Sequence, residues 1–251
     1  EAEIDSAMNY CRITADDAVA AGVMTPEALE FARKRLPRGV FRELYYCEPS
    51  DDSGNPFGLE QIRACVSALA EGPAVVFGID LAKSMDHTVV WGVNAKCECC
   101  HLQRWQNAPW NETARQIASI IGPTPAVVDG TGAGAAIVDF LQGAGHNITP
   151  YVFTRDKKQA LMGELRMAIQ NGTTSIPTDA ATEHEQFEYV VVMQNGRPTG
   201  VRYEAPAGLH DDYVDAHALA VHGFNSVPRG ETFSISVARP ASPFGGRRVE
   251  W

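Results

Sequence analysis

The chain has no run of about 18 apolar residues, which excludes a membrane-spanning helix. Its N-terminus also lacks the basic-then-apolar pattern of a secretory signal. Cysteine is scarce. The six residues Cys11, Cys47, Cys65, Cys97, Cys99 and Cys100 are too few and too irregular to staple 251 residues with disulfides, so reduced thiols in a cytoplasmic protein are expected. Cys97, Cys99, Cys100 and His101 have the residue types of a zinc site, but their spacing is too cramped to surround a tetrahedral ion. Surplus positive charge is also missing. With 21 Lys and Arg against 31 Asp and Glu the net charge is -10, which argues against a protein that coats nucleic acid nonspecifically. An enzyme that touches DNA locally is not excluded, because metals neutralise the charge of a carboxylate cluster that binds them. Such a chain is expected to bind DNA weakly alone and to need a partner or tether. No internal repeat or low-complexity block occurs. The chain begins at Glu1 and not Met, so it is expected to be a processed or excised piece.

What is present is an ordinary globular composition, 45% hydrophobic and 21% charged, long enough to bury a core. Residues 1–70 read as a helical lead-in and linker. Within them Thr14-Ala-Asp-Asp17 predicts a capping box with Gly22 as the stop, and Thr25-Pro26 predicts a second helix start. Arg33-Lys34-Arg35-Leu36-Pro37-Arg38 is the densest basic run, read as a solvated helix face with DNA or domain contact as the alternative. Residues 49–58 read as a loop, followed by a helix over 59–69. Residues 71–225 read as an α/β domain. Strands are predicted at 74–80, 88–93, 101–105, 125–129 and 151–153, the first three as an antiparallel meander. Helices are predicted at 111–121, from 134 to 142, 157–170, 183–187 and 211–222, the last capped by Gly223. Tyr189 to Met193 and Val201 to Glu204 read as a hairpin with its turn at Asn195-Gly196. Residues 226–251, rich in Pro, Gly, Ser and Arg, read as a flexible tail.

Chemistry concentrates on aspartate. Asp80 and Asp129 each end a short apolar strand, and neighbouring parallel strands would bring both to one sheet edge, where open α/β sheets place ligands. His210-Asp-Asp-Tyr-Val-Asp215-Ala-His217 opens a helix on which Asp211 or Asp212 shares a face with Asp215. The rest of that helix is apolar nearly all round, so it is expected to be buried, where a carboxylate is costly unless paired or metal-bound. Taken singly, each aspartate could be a turn or capping residue. Converging, they form a hard oxygen set suited to Mg²⁺ or Mn²⁺, and two such ions about 4 Å apart can clamp a phosphodiester. Asp80 is the candidate bridge between the ions. Lys83 is a candidate to neutralise phosphate charge, and His87, His210 and His217 are candidate ligands or bases, with a structural role preferred.

Gly78-Ile-Asp-Leu-Ala-Lys-Ser-Met-Asp-His-Thr-Val89, Val127-Val-Asp-Gly-Thr-Gly-Ala-Gly134 and His210-Asp-Asp-Tyr-Val-Asp-Ala-His-Ala-Leu-Ala220 resemble the nuclease domain of tailed-phage large terminase subunits. Val40 to Glu48 and Gly54 to Phe57 resemble the linker that joins ATPase to nuclease in that family. The resemblance covers roughly residues 40 to 225. It implies a ribonuclease-H-like mixed sheet flanked by helices with an appended β-hairpin that guides or gates DNA. It implies an endonuclease that uses Mg²⁺ or Mn²⁺, as two ions, to cut double-stranded viral DNA concatemers during packaging in the host cytoplasm. Asp80 and Asp129 match the family's two strand carboxylates. The third ligand falls among Asp211, Asp212 and Asp215, with Asp215 favoured and Asp212 assisting. Implied partners are the terminase ATPase domain, the small terminase subunit and the portal protein. No Gly-Lys pair occurs, so the family's ATP-binding loop is absent and no ATPase activity is expected of this chain. Two rival readings stand beside this one. An actin-like nucleotide-binding protein would use Gly78-Ile-Asp-Leu and Asp129-Gly-Thr-Gly as phosphate loops but needs two similar lobes. A noncatalytic docking module would bind motor partners through the basic helix and tail.

Overall fold

The computed structural model describes residues 11–36, 38–48, 54–81, 87–194, 197–206 and 209–226. Lys83, the Asn195-Gly196 turn and the tail beyond Ser226 lie outside them.

Local signals set the first helices. Thr14 caps α1 (Ala15–Ala20) through the expected reciprocal box with Asp17, and Gly22 follows in a left-handed conformation (φ 71°). Thr25 caps α2 (Pro26–Arg35), with Pro26 in the first turn where its missing N–H is harmless. Arg33 and Lys34 are exposed and lie 4.0 and 3.9 Å from Glu30 of their own helix, the solvated-face arrangement. The segment resembling a linker carries most of a helix, α3 (Arg38–Tyr46), whose Phe41 is buried and stacks on Tyr45 at 5.0 Å.

The predicted 59–69 helix ends early. It is α4 (Leu59–Cys65), and β-branched Val66 leaves it in extended conformation to start the two-residue strand β1 (Val66–Ser67). The meander follows as expected: β2 (Val76–Asp80), β3 (Thr88–Val93) and β4 (Cys99–Trp105). Then come α5 (Trp110–Ile121), stopped by Gly122, β5 (Ala126–Asp129), α6 (Gly134–Gly143) and β6 (Ile148–Tyr151). β6 begins before the predicted 151–153 because Ile148 to Tyr151 pair with Ala126 to Asp129. Thr154 caps α7 (Arg155–Gln170). β7 (Ile176–Pro177) pairs in parallel with β1, and Pro177 delivers the chain into α8 (Thr178–Gln186), longer than the predicted 183–187. β8 (Glu188–Gln194) and β9 (Arg197–Glu204) form the antiparallel hairpin. The last helix, α9 (Asp212–Ser226), runs past Gly223, which sits inside the helix and does not end it.

The main sheet has the order β4-β3-β2-β5-β6, with β2, β3 and β4 antiparallel and β5 and β6 parallel to β2. Phe77, Ile79, Val90, Ala126 and Val128 share one core with α5 and α6. Val76, Val89, Trp91 and Val127 share the other with α7 and α9. Two glycines explain how closely α9 approaches the sheet. A Cβ on Gly78 would collide with the backbone of Ala216 and Ala220, and one on Gly223 would meet Val76 Cγ2 at 2.7 Å and Val127 Cγ2 at 2.9 Å. Gly223 is thus a packing residue for the helix above the sheet, which is why the cap expected there does not form.

Candidate metal centre

Strand parity selects which side chains meet. β2 pairs with β5 in parallel register, Gly78 opposite Val127. Gly78 lies directly beneath Ala216 and Ala220 of α9, and side chains two residues further on point to the same face. Asp80 and Asp129 therefore end adjacent strands on the α9 side. The helix crosses Gly223 over Val76, then Ala220 and Ala216 over Gly78, so continuing toward its start sets Asp215, Asp212 and Asp211 above the two strand-end aspartates. Asp211 is the residue whose carbonyl accepts the Asp215 N–H, at 2.9 Å. Asp80, Asp129, Asp212 and Asp215 are all buried, Asp129 completely, while the Asp211 side chain is 30% exposed.

The five carboxylates differ in their partners. Asp129 Oδ1 accepts from Thr131 N at 2.8 Å, an Asx turn that fixes the strand end. Gly134 allows the first turn of α6 to pass within contact of the Asp129 carbonyl. Lys158, one turn into α7, donates from Nζ to Asp215 Oδ2 at 2.8 Å and to Asp211 Oδ2 at 3.0 Å. Asp215 Oδ1 is buried with no hydrogen-bond partner among the described residues. Arg104 of β4 donates from Nη2 to Asp212 Oδ2 at 3.0 Å and from Nη1 to Glu183 Oε1 at 2.6 Å. Glu183 in turn accepts the Tyr213 N–H of α9 at 3.0 Å, so Arg104 and Glu183 together fix the helix start.

Crowding shows in the acidities. Burial first, and then the negative charges of Asp215, Asp129, Asp212 and Asp211, push the Asp80 carboxyl well above the usual carboxylate range. Burial also pushes Asp215 up to about 7, with Asp211 and Asp129 adding to the rise and Lys158 opposing it. Burial alone would make Lys158 less basic, but Asp215 and Asp211 outweigh it and the ammonium is held above its ordinary value. Asp80 and Asp215 are thereby biased toward their neutral forms.

Among the described residues, the group whose ligand atoms all lie within 4.8 Å of one another is His87, His210 and Asp212, whereas Asp80, Asp129 and Asp215 do not come that close together. The Arg104 guanidinium already lies 2.9 Å from His87 Nδ1 and on Asp212 Oδ2, so positive charge is supplied there by the protein itself. His217 faces away from the aspartates. It is fully buried, stacked on Trp91 at 4.3 Å, with His184 at 3.0 Å and Thr174 at 2.9 Å. Cys97 lies in the turn between β3 and β4, whereas Cys99, Cys100 and His101 lie in β4 itself. Lys158, Arg104 and Glu183 were not singled out by sequence reasoning. No local pattern marks them, since the ion pairs they make span 53 to 108 residues of the chain.

Among the described residues there is one five-stranded sheet and not the pair of similar lobes that an actin-like protein needs. No protein-family model matches the sequence, and no curated protein matches it. Solved structures do. The large terminase nuclease from thermophilic phage G20c with bound magnesium superposes with a TM-score of 0.57 at 22% identity, over 69% of this chain and 98% of that one. The Thermus phage P74-26 large terminase nuclease domain gives 0.54 at 20% identity, over 66% and 94%. A large terminase from another thermophilic bacteriophage gives 0.52 at 13% identity, over 84% of this chain and 54% of that one. At these identities the likeness establishes architecture: the chain carries the ribonuclease-H-like fold of large terminase nuclease domains.

Proposed function

We propose that the chain is the divalent-metal-dependent endonuclease of a phage packaging motor, cutting concatemeric double-stranded DNA by phosphodiester hydrolysis. The observation that carries the reading is the buried Asp215 Oδ1, which among the described residues has no hydrogen-bond partner and whose carboxyl is electrostatically coupled to Asp80 and Asp129. A buried carboxylate oxygen without a donor is costly, and a cation held by its neighbours would satisfy it. Asp80, Asp129 and Asp215 offer only hard carboxylate oxygens, which suit Mg²⁺ or Mn²⁺.

Asp80, Asp129 and Asp215 would hold the metal, with Asp80 central. The chemistry that bound ions supply is activation of a water and stabilisation of the leaving oxygen, for which two ions are the usual complement. The remaining residues orient and neutralise. Thr131 N fixes the Asp129 carboxylate, Lys158 fixes that of Asp215, and Arg104 with Glu183 ties Asp212 and the start of α9 to β4. Asp212 is thereby a positioning residue, and Asp215 is the ligand that α9 supplies. In this reading the β8–β9 hairpin guides DNA. The motor ATPase domain, small subunit and portal are the partners, and the host cytoplasm is the site of action.

The test is plasmid cutting in Mn²⁺ or Mg²⁺. Asp80→Asn and Asp129→Asn should each lower the rate at least about 100-fold while far-UV circular dichroism is unchanged, since loss of a direct ligand exceeds the 10–100-fold typical of outer contacts. Undiminished cutting by both variants, or equal cutting in chelator, overturns the proposal. A noncatalytic docking module would show no metal-dependent cutting in the wild type.

A further inference from the structure

We propose that Lys158 is a built-in occupant of the second cation position, so that the chain without DNA holds one divalent ion, at Asp80, Asp129 and Asp215, and admits another only when Lys158 leaves. The inference rests on the metal-dependent reading above and concerns how that centre loads.

Asp211 and Asp215 stand one turn apart at the start of α9, on one face, with the Lys158 ammonium between their Oδ2 atoms at 3.0 and 2.8 Å. A divalent ion bridging the same two oxygens would need distances of about 2.0–2.2 Å to each, so it would compete for the space that Nζ fills. Like charges could not share it. The ammonium is not a surface group caught in passing. Its side chain is mostly buried, its Nζ lies 5.5 Å from the centroid of the Phe153 ring, and its helix is anchored by Leu161 and Leu165 in the core. Lys158 thus engages one oxygen of Asp215 and leaves the other, Oδ1, buried and without a donor. That splits the carboxylate between two cations: the protein's own on Oδ2 and a metal on Oδ1. Asp212 is engaged by Arg104 on the opposite flank. The set proposed for a first ion is Asp80, Asp129, whose Oδ1 also accepts from Thr131 N, and the Oδ1 of Asp215. The four-carbon stem of Lys158 gives its head room to move, and a DNA phosphate offers it an alternative anion.

The experiment is Mn²⁺ binding to the whole chain without DNA, followed by calorimetry and by anomalous scattering from soaked crystals. The wild type should bind one ion, with Lys158 Nζ still on Asp211. Lys158→Met should bind two, and adding Asp211→Asn should return the count to one. Lys158→Arg, which keeps the cation, should behave as the wild type. The same isotherm for wild type and Lys158→Met, or loss of the first ion in Lys158→Met, overturns the inference. So does an anomalous peak between Asp211 and Asp215 in the wild type, a result that needs no variant to fold. A wild type that binds no Mn²⁺ at all overturns the metal-dependent reading as well, and is told apart by the absence of any difference between it and Asp80→Asn.

Discussion

Asp215 would work under two opposed demands: burial favours its neutral form, and the proposed metal binding requires the charged one. Its carboxyl is pushed up to about 7 in the folded, metal-free chain against 3.8 ordinarily. A raised folded value stabilises the fold fully below 3.8, and that contribution is lost as pH rises toward about 7. The buried His184 works the other way. Burial lowers it to about 4 from 6.5, so its contribution is present above 6.5 and lost as pH falls toward about 4. The two effects overlap and oppose each other, so melting curves alone would blur them. Metal affinity separates them, because only the aspartate proton competes with the ion. Mn²⁺ affinity, followed by calorimetry, should rise about tenfold per pH unit for each proton displaced below pH 7 and then level off. A flat profile between pH 5.5 and 8 would show that no such proton is displaced.

Among the elements, α9 carries the most consequence. It lies against β2 with Gly78 as the contact, and an added methyl there would strike helix backbone, which cannot rotate away as a side chain can. Gly78→Ala should therefore cost about 3 kcal/mol or more, read by urea denaturation. A loss under about 0.5 kcal/mol would mean the helix can lift off the sheet without penalty. The features legible in the sequence are those written locally: the Thr14 box, the apolar strands that end in Asp80 and Asp129, and the apolar helix with aspartates at its start. The meander and the hairpin strands follow from alternation and turn residues. What stays hidden depends on distant partners. β1 is two residues long and exists because β7, more than a hundred residues away, pairs with it. Arg104 reads as one more polar residue on a strand until Glu183 and Asp212 are brought to it. Which oxygens of Asp211, Asp212 and Asp215 are engaged by Arg104 and Lys158 is invisible in the spacing alone.

On the scale of the molecule, the net charge of -10 is partly gathered in the centre, where, among the described residues, Arg104 and Lys158 pair with Asp212, Asp211 and Asp215. An ion that binds only the folded form adds stability by mass action. At a hundred times its dissociation constant, Mn²⁺ contributes about 2.7 kcal/mol, or a rise of about 5–10 °C in melting temperature for a chain of this size. Differential scanning fluorimetry should show this for the wild type and lose most of it in Asp80→Asn. An equal rise in both would point to surface binding of the ion.

Asn55 hands its side-chain amide to the carbonyls of His184 and Glu185, at 2.7 and 3.1 Å, while Phe57 and Ile62 are sealed into the core and β1 is bonded to β7. His184 reaches on to His217 in α9, two residues beyond Asp215. A pull applied before Gly54 would thus not tug on a loose strap: its tension would run through α8 into the helix that carries Asp212 and Asp215.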